Sequence, residues 1–206
     1  MRGERRLPRS KSVADEGKDI FILGGPNGAG KTAAAEVLLP QKLRIHAFLN
    51  ADEIARGLSP PNVEAVAFEA GRLFIEKMRT LVQEGQSFAF ETTCSGKSYV
   101  RMLKQFRDDG WRISLIYLWV PSPEYSIARV ARRVSQGGHH IPDDVIRRRY
   151  LAGLWNMRHL YLPLAHNAFV YDNRDRALRL IARQAADSPL VVLDRDIWSG
   201  IEALTP

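Results

Sequence analysis

Asp19-Ile20-Phe21-Ile22-Leu23-Gly24-Gly25-Pro26-Asn27-Gly28-Ala29-Gly30-Lys31-Thr32 decides how this chain is read. Its first six residues predict a short buried strand. From Gly25 onward it fits the pattern G-x-x-x-x-G-K-[ST] at every fixed position. Residues 33–39 predict a helix that Pro40 stops. In the order strand, glycine-rich loop, helix, backbone N–H groups turn inward around phosphate oxygens in front of the helix's positive end. Gly25, Pro26, Asn27, Gly28, Ala29 and Gly30 form that cradle. Lys31 is placed to reach the β- and γ-phosphates, and the Thr32 hydroxyl to meet Mg²⁺. A chance glycine turn would leave the matching flanks unexplained. The expected ligand is a nucleoside triphosphate, with ATP the default and GTP the alternative.

Composition places this reading in an ordinary soluble domain. The chain has 206 residues, 45% hydrophobic and 26% charged, which suits one domain with a substantial core. No apolar run nears the roughly 18 residues that span a bilayer. Arg2, Arg5, Arg6, Arg9 and Lys11 are followed by no apolar stretch, so residues 1–18 read as a basic, solvated, disordered tail rather than a secretory leader. The single cysteine, Cys94, can form no internal disulfide, and a reducing cytoplasm is the expected compartment. Cys94 itself reads as a small apolar filler. The net charge of +7 lies mostly in the tail and between residues 129 and 158, not in a stripe with interleaved aromatics. Nucleic acid is therefore not an expected partner, and neither is a membrane.

Beyond the loop, the pattern alternates. Strands are predicted over residues 43–49, 87–90, 112–120, 168–171 and 190–193, and a long helix over residues 62–84. A further helix covers residues 98–109. Ser122 and Pro123 open another as N-cap and first-turn proline. Gly137-Gly138 breaks it, and Pro142 opens the next, which runs to about Tyr161. This is an α/β fold of three layers, a mainly parallel sheet with helices on both faces, occupying residues 19–206.

Ligands of such sheets sit at the carboxyl ends of the strands. Two acids emerge there beside the loop, Asp52 after the second strand and Glu91 at the end of the third. A phosphotransferase needs one carboxylate to orient the attacking hydroxyl and a polar group to hold the waters of Mg²⁺, and these two are the candidates. The competing readings are an N-cap role for Asp52 and a structural ion pair for Glu91. The helix after Ser122 bears an apolar stripe, Ile127, Val130, Ala131 and Val134, and a basic one, Arg129, Arg132, Arg133 and Gln136. With Arg147, Arg148 and Arg149 beyond the glycine break, it predicts a helical lid over about residues 124–160. The planar guanidinium suits transferring phosphate, and a closing lid excludes water. Lys97 is either a substrate phosphate ligand or a solvent-facing lysine.

Four segments carry a family likeness: residues 24–32; Phe48-Leu49-Asn50-Ala51-Asp52-Glu53-Ile54-Ala55; Phe88-Ala89-Phe90-Glu91-Thr92-Thr93; and Tyr171-Asp172-Asn173. Together they resemble the zeta-toxin family, in its compact stand-alone bacterial members, over about residues 19–183. The resemblance implies a P-loop kinase-like fold. It also implies transfer of phosphate from ATP or GTP to the 3′-hydroxyl of the amino sugar in UDP-N-acetylglucosamine. On this likeness Lys31 and Thr32 are the phosphate and Mg²⁺ residues, and Asp52 is the acid that activates the acceptor hydroxyl. Glu91 and Thr93, beside Asn50, match a pair near the sugar, and Asn173 falls on the nucleotide side. Arg132 or Arg133 matches one of two phosphate-binding lid arginines. The counterpart of the second is His139 or His140, or its role passes to an arginine among Arg147, Arg148 and Arg149. The lid is shorter than that of the toxins. An antitoxin protein is a candidate partner.

The leading expectation is thus an ATP-dependent kinase acting on a hydroxyl of a small molecule, with a nucleotide sugar as candidate acceptor. The alternatives are a nucleic-acid end kinase or nucleic-acid-binding ATPase, suggested by the charge, and a non-catalytic nucleotide-binding module.

Overall fold

An interior strand of the sheet, β1 (Asp19–Gly24), leads into the glycine-rich loop. It lies parallel to β3 (Phe88–Thr92) on one side and β4 (Arg112–Trp119) on the other. The computed structural model describes residues 18–206 apart from 39–42, 44, 61, 176 and 187. The basic tail expected over residues 1–18 lies outside the described residues except for Lys18. β2 (Ala47–Leu49) pairs parallel with β3, and β5 (Asn167–Asp172) parallel with β4. β6 (Arg179–Gln184) and β7 (Val191–Val192) close that edge antiparallel. The order is β2-β3-β1-β4-β5-β6-β7.

A strand covered on both faces reads as a continuous apolar run, and β1 does. Ile20 and Ile22 face a core with Phe88, Phe90, Phe74, Met78 and Leu103. Phe21 and Leu23 face the other way, onto Ala35, Ile45 and Ala89. Ala35 belongs to α1 (Lys31–Leu38), which follows the loop; Phe74 and Met78 belong to α3 (Ala67–Gln83), and Leu103 to α4 (Ser98–Asp108). Helices thus cover both faces of a mainly parallel sheet, the three-layer arrangement of P-loop kinases.

The differences from the sequence reading are local. β2 is shorter than residues 43–49. The long helix starts at Ala67 because residues 63–66 form a turn. The predicted stop at Pro40 lies outside the described residues. β6 and α8 (Arg195–Leu204) were not expected at all. α2 (Ala51–Leu58) is capped by Asn50, whose side chain accepts from the N–H groups of Asp52 and Glu53.

α5 (Pro123–Val134) starts as expected, with Ser122 accepting from Tyr125 N at 3.1 Å. α6 (Asp143–Asn156) continues through a π-helical turn, Met157–Tyr161, into α7 (Leu162–Leu164). Between α5 and α6, Val130, Ile141 and Ile146 form a small core of their own, flanked by Ile127, Val134 and Val145. Each such buried aliphatic contributes roughly 1.5–3 kcal/mol.

Candidate active site

The glycine-rich loop leaves β1 in a conformation that side chains resist. Gly25, Gly28 and Gly30 have φ of +146°, +73° and +83°. Space adds to strain at all three, and a side-chain carbon on Gly25 would stand 2.5 Å from the Leu118 carbonyl oxygen. A side-chain carbon on Gly28 would stand 3.0 Å from the Ser126 carbonyl oxygen and 3.1 Å from Arg129 Cβ. One on Gly30 would stand 2.9 Å from Asn173 Nδ2, and that amide donates to Ala29 O at 2.6 Å. The Arg129 guanidinium donates to Asn173 O at 2.7 Å and lies 5.6 Å from the centre of the Tyr125 ring. The loop is therefore braced from β5 and from α5 together.

A cleft of about 480 Å³ opens at the carboxyl ends of β1 and β3. The loop supplies Asn27, Gly28, Gly30, Lys31 and Thr32 to its wall, and α2 supplies Asp52. Glu91, Thr93, Ser95, Ser98 and Tyr99 line it from β3, α4 and the loop between them, and Arg129, Arg133 and Arg149 from α5 and α6. Asp52 is an exposed residue in the first turn of α2. Because Asn50 makes the cap bonds to Asp52 N and Glu53 N at 2.9 and 3.4 Å, the Asp52 carboxylate is not spent as the N-cap.

Lys31 and Glu91 are the electrostatic centre. Lys31 Nζ donates to Pro26 O at 2.9 Å and lies 3.6 Å from Glu91 Oε1. Burial lowers the Lys31 pKa, against the opposing pull of Glu91 and, more weakly, of Cys94 and Asp52. The other Glu91 oxygen accepts from Thr32 Oγ1 at 2.8 Å and from Asn50 Nδ2 at 3.2 Å. Glu91 thus joins the loop to the end of β2 as well as facing the cleft. Thr93 Oγ1 lies 2.8 Å from Ser95 Oγ.

Behind the loop is Cys94, fully buried at a left-handed φ of +57°. Burial pushes its thiol up to about 12, although Lys31 and an N–H bond from Gly25 pull the other way. It fills the space beside Gly24, as a small apolar filler does.

The expected lid arginines separate in position. Arg133 lines the cleft and donates to His139 O at 3.1 Å. Arg132 is exposed and is not among the lining residues. His139 faces Glu64 at 3.9 Å rather than the cleft. Arg147 pairs with Glu124, and of its three-residue run only Arg149 reaches the cleft wall. Lys97 is exposed and stands 5.3 Å over the Trp155 ring. Sequence reasoning passed over Asn27's side chain as a separate feature, Tyr99 and Ser95. The helical offset from Arg129 to Arg133 was the signal that could have ranked Arg129 above Arg132.

The residues fit a triphosphate and its cation. The buried Lys31 in the cleft wall is the cation that phosphate oxygens require. Thr32 Oγ1 and Glu91 Oε2 are the hard oxygens that Mg²⁺ takes. Among the described residues no group of three or more His, Cys, Asp or Glu offers another metal site. No described helix is long and apolar enough to cross a membrane.

Comparison with known proteins agrees with this architecture. The family model for zeta toxin matches residues 4–186. An uncharacterised protein of Haemophilus influenzae is 29% identical over 144 residues, 70% of this chain and all of that protein. Among solved structures, a chain of the AvrRxo1-ORF1:AvrRxo1-ORF2 complex with ATP superposes at a TM-score of 0.72 and 18% identity. The match covers 90% of this chain but only 63% of that one. A chain from the PezAT chromosomal toxin–antitoxin system of Streptococcus pneumoniae superposes at 0.58 and 15% identity, covering 96% of this chain and 88% of the other. Identities this low establish a shared fold.

Proposed function

The chain belongs to the zeta-toxin family, and from that premise we propose that it is an ATP-dependent kinase phosphorylating a hydroxyl of a small molecule. One observation carries the reading. A single cleft has the buried Lys31 of a phosphate-binding loop in one wall and the uncommitted carboxylate of Asp52 in another. A nucleotide-binding module without catalysis has no use for the second.

In this reading Gly25 to Gly30 and Lys31 hold the triphosphate, with Asn173 bracing the loop at Ala29. Thr32 and Glu91 would hold Mg²⁺, which when bound neutralises charge on the β- and γ-phosphates. Asp52 orients the acceptor hydroxyl and takes its proton as the acceptor oxygen bonds to Pγ. The bond from Pγ to the bridging oxygen breaks, and ADP leaves. Arg133, with Arg129, stabilises the charge on the transferred group. Asn50 holds α2, and with it Asp52, in register with Glu91, while Thr93 faces the acceptor. Residues 124–160 act as the lid. Arg132 lies outside the cleft wall, so the proposed lid role rests with Arg133.

UDP-N-acetylglucosamine is the first acceptor to test, on the family's likeness. The donor is ATP, with GTP to be tried alongside. An antitoxin partner is proposed on the ground that the PezAT neighbour comes from a toxin–antitoxin system. A screen of labelled γ-phosphate transfer across nucleotide sugars, simple sugars and oligonucleotides tests the function. Transfer to a sugar hydroxyl supports it. ATP binding with no transfer to any acceptor would overturn it in favour of a binding module.

A further inference from the structure

The loop between β3 and α4 carries Thr93 and Ser95 into the cleft wall, and it does so in a strained shape. Among the described residues, Cys94 is the one non-glycine at positive φ, +57°. Backbone of that kind persists only where its surroundings over-determine it. Bonds inside the loop join near neighbours. Cys94 N donates to Thr92 Oγ1 at 3.0 Å, and Thr93 Oγ1 lies 2.8 Å from Ser95 Oγ. Neither bond restrains the carbonyls of residues 94–96.

α6 and the π-turn after it restrain them. Asn156 is buried and donates from Nδ2 to Cys94 O at 2.8 Å and to Ser95 O at 3.1 Å. The Tyr161 hydroxyl donates to Gly96 O at 3.2 Å. Burial pushes the Tyr161 phenol up, so it keeps the proton it donates. Residues five apart diverge by about 140° around an α-helix. The π-turn, bonded from Leu162 N back to Met157 O, narrows that angle and brings both side chains to one loop. Gly153 completes the contact, because a side-chain carbon there would collide with the Thr93 carbonyl oxygen. The clamping helix is itself fixed. Tyr150, Leu154 and Met157 sit in the main core, and the Tyr150 hydroxyl donates to Val120 O at 2.7 Å.

We propose that Asn156 and Tyr161 are positioning residues for the acceptor. Neither lines the cleft, so they act through the loop they grip, holding the Thr93 and Ser95 hydroxyls where the acceptor meets them. A shift of about 1 Å in such a loop is enough to spoil a productive pose. The inference deepens the kinase reading and rests on it.

The test uses the full chain as wild type, Asn156→Ala and Tyr161→Phe, with the unfolding midpoint in denaturant measured for each. Tyr161→Phe removes one hydroxyl and keeps the packed ring. Ile181→Val, a core change in β6 with three strands between it and β3, is the control for lost stability alone. Two readouts are taken at neutral pH. One is the rate at which a thiol reagent labels Cys94, the single cysteine of the chain. The other is KM for ATP and for UDP-N-acetylglucosamine, or for the sugar that the transfer screen selects. Each clamp variant is expected to label roughly 3- to 10-fold faster than Ile181→Val, through local opening of the loop, the range for one lost hydrogen bond. The acceptor KM is expected to rise by a similar factor while the ATP KM stays unchanged. Labelling and acceptor KM that match those of Ile181→Val would overturn the inference and leave the kinase reading standing. Equal rises in both KM values would do the same, since they would tie the clamp to the whole cleft. A wild-type protein that transfers phosphate to no acceptor would overturn the kinase reading and this inference with it.

Discussion

At the scale of single residues, the charge of Lys31 is the most testable property. Burial depresses its pKa, and a triphosphate would raise it again. ATP binding is therefore expected to take up a proton at alkaline pH, and affinity to fall as pH rises through the lowered pKa. Calorimetry in two buffers of different ionisation enthalpy reads the uptake directly; identical heats would show that Lys31 is already fully charged. Cys94 gives a second prediction. With its thiol raised to about 12, it is expected to be inert to a thiol reagent at neutral pH and to react once the chain unfolds. The motif residues 25–32 were legible because a phosphate-binding loop is a contiguous pattern. Arg149 was not separable from Arg147 and Arg148, since three identical neighbours differ only in the direction the helix gives them.

Among the elements, α6 clamps the loop that carries Thr93 and Ser95. Its extent through Tyr161 was readable from Pro142 and the glycine break before it. Its clamp was not, because Gly153 and Asn156 in a helix look like weak helix formers until the loop they touch is known. Asn156→Ala would leave the Cys94 and Ser95 carbonyls without their donor, at a cost of about 1–3 kcal/mol. The expected result is a lower unfolding midpoint in denaturant and an acceptor KM raised more than that of ATP. Unchanged KM for both would detach α6 from the acceptor. β6 and α8 escaped the sequence reading for related reasons. β6 buries only the adjacent Ile181 and Ala182 between exposed Arg179 and Arg183, too short an apolar run to mark a strand. α8 buries only Trp198 and Ile201 and has Gly200 between them.

Across the whole molecule, two apolar cores meet on the sheet while a third, around Val130, Ile141 and Ile146, sits apart between α5 and α6. The loop around Gly137 is the exposed edge of that third core, while Tyr150, Leu154 and Met157 anchor the rest of α6 in the main core. Under the proposed closure, an ATP analogue with acceptor is expected to slow proteolysis at residues 135–140. Cleavage there at an unchanged rate would argue for a fixed cleft. The sheet order, and so the meeting of Lys31, Asp52 and Glu91 in one cleft, follows from which strands flank β1.

The central claim is phosphate transfer with Asp52 acting on the acceptor. Its most direct test is transfer of labelled γ-phosphate from ATP to UDP-N-acetylglucosamine and related sugars by wild type and Asp52→Asn, with ATP affinity measured in parallel. The account predicts transfer by wild type. It predicts a loss of roughly 10²- to 10⁴-fold in kcat for Asp52→Asn, with ATP binding retained. Full transfer by Asp52→Asn, or none by a wild-type protein that binds ATP tightly, would contradict it.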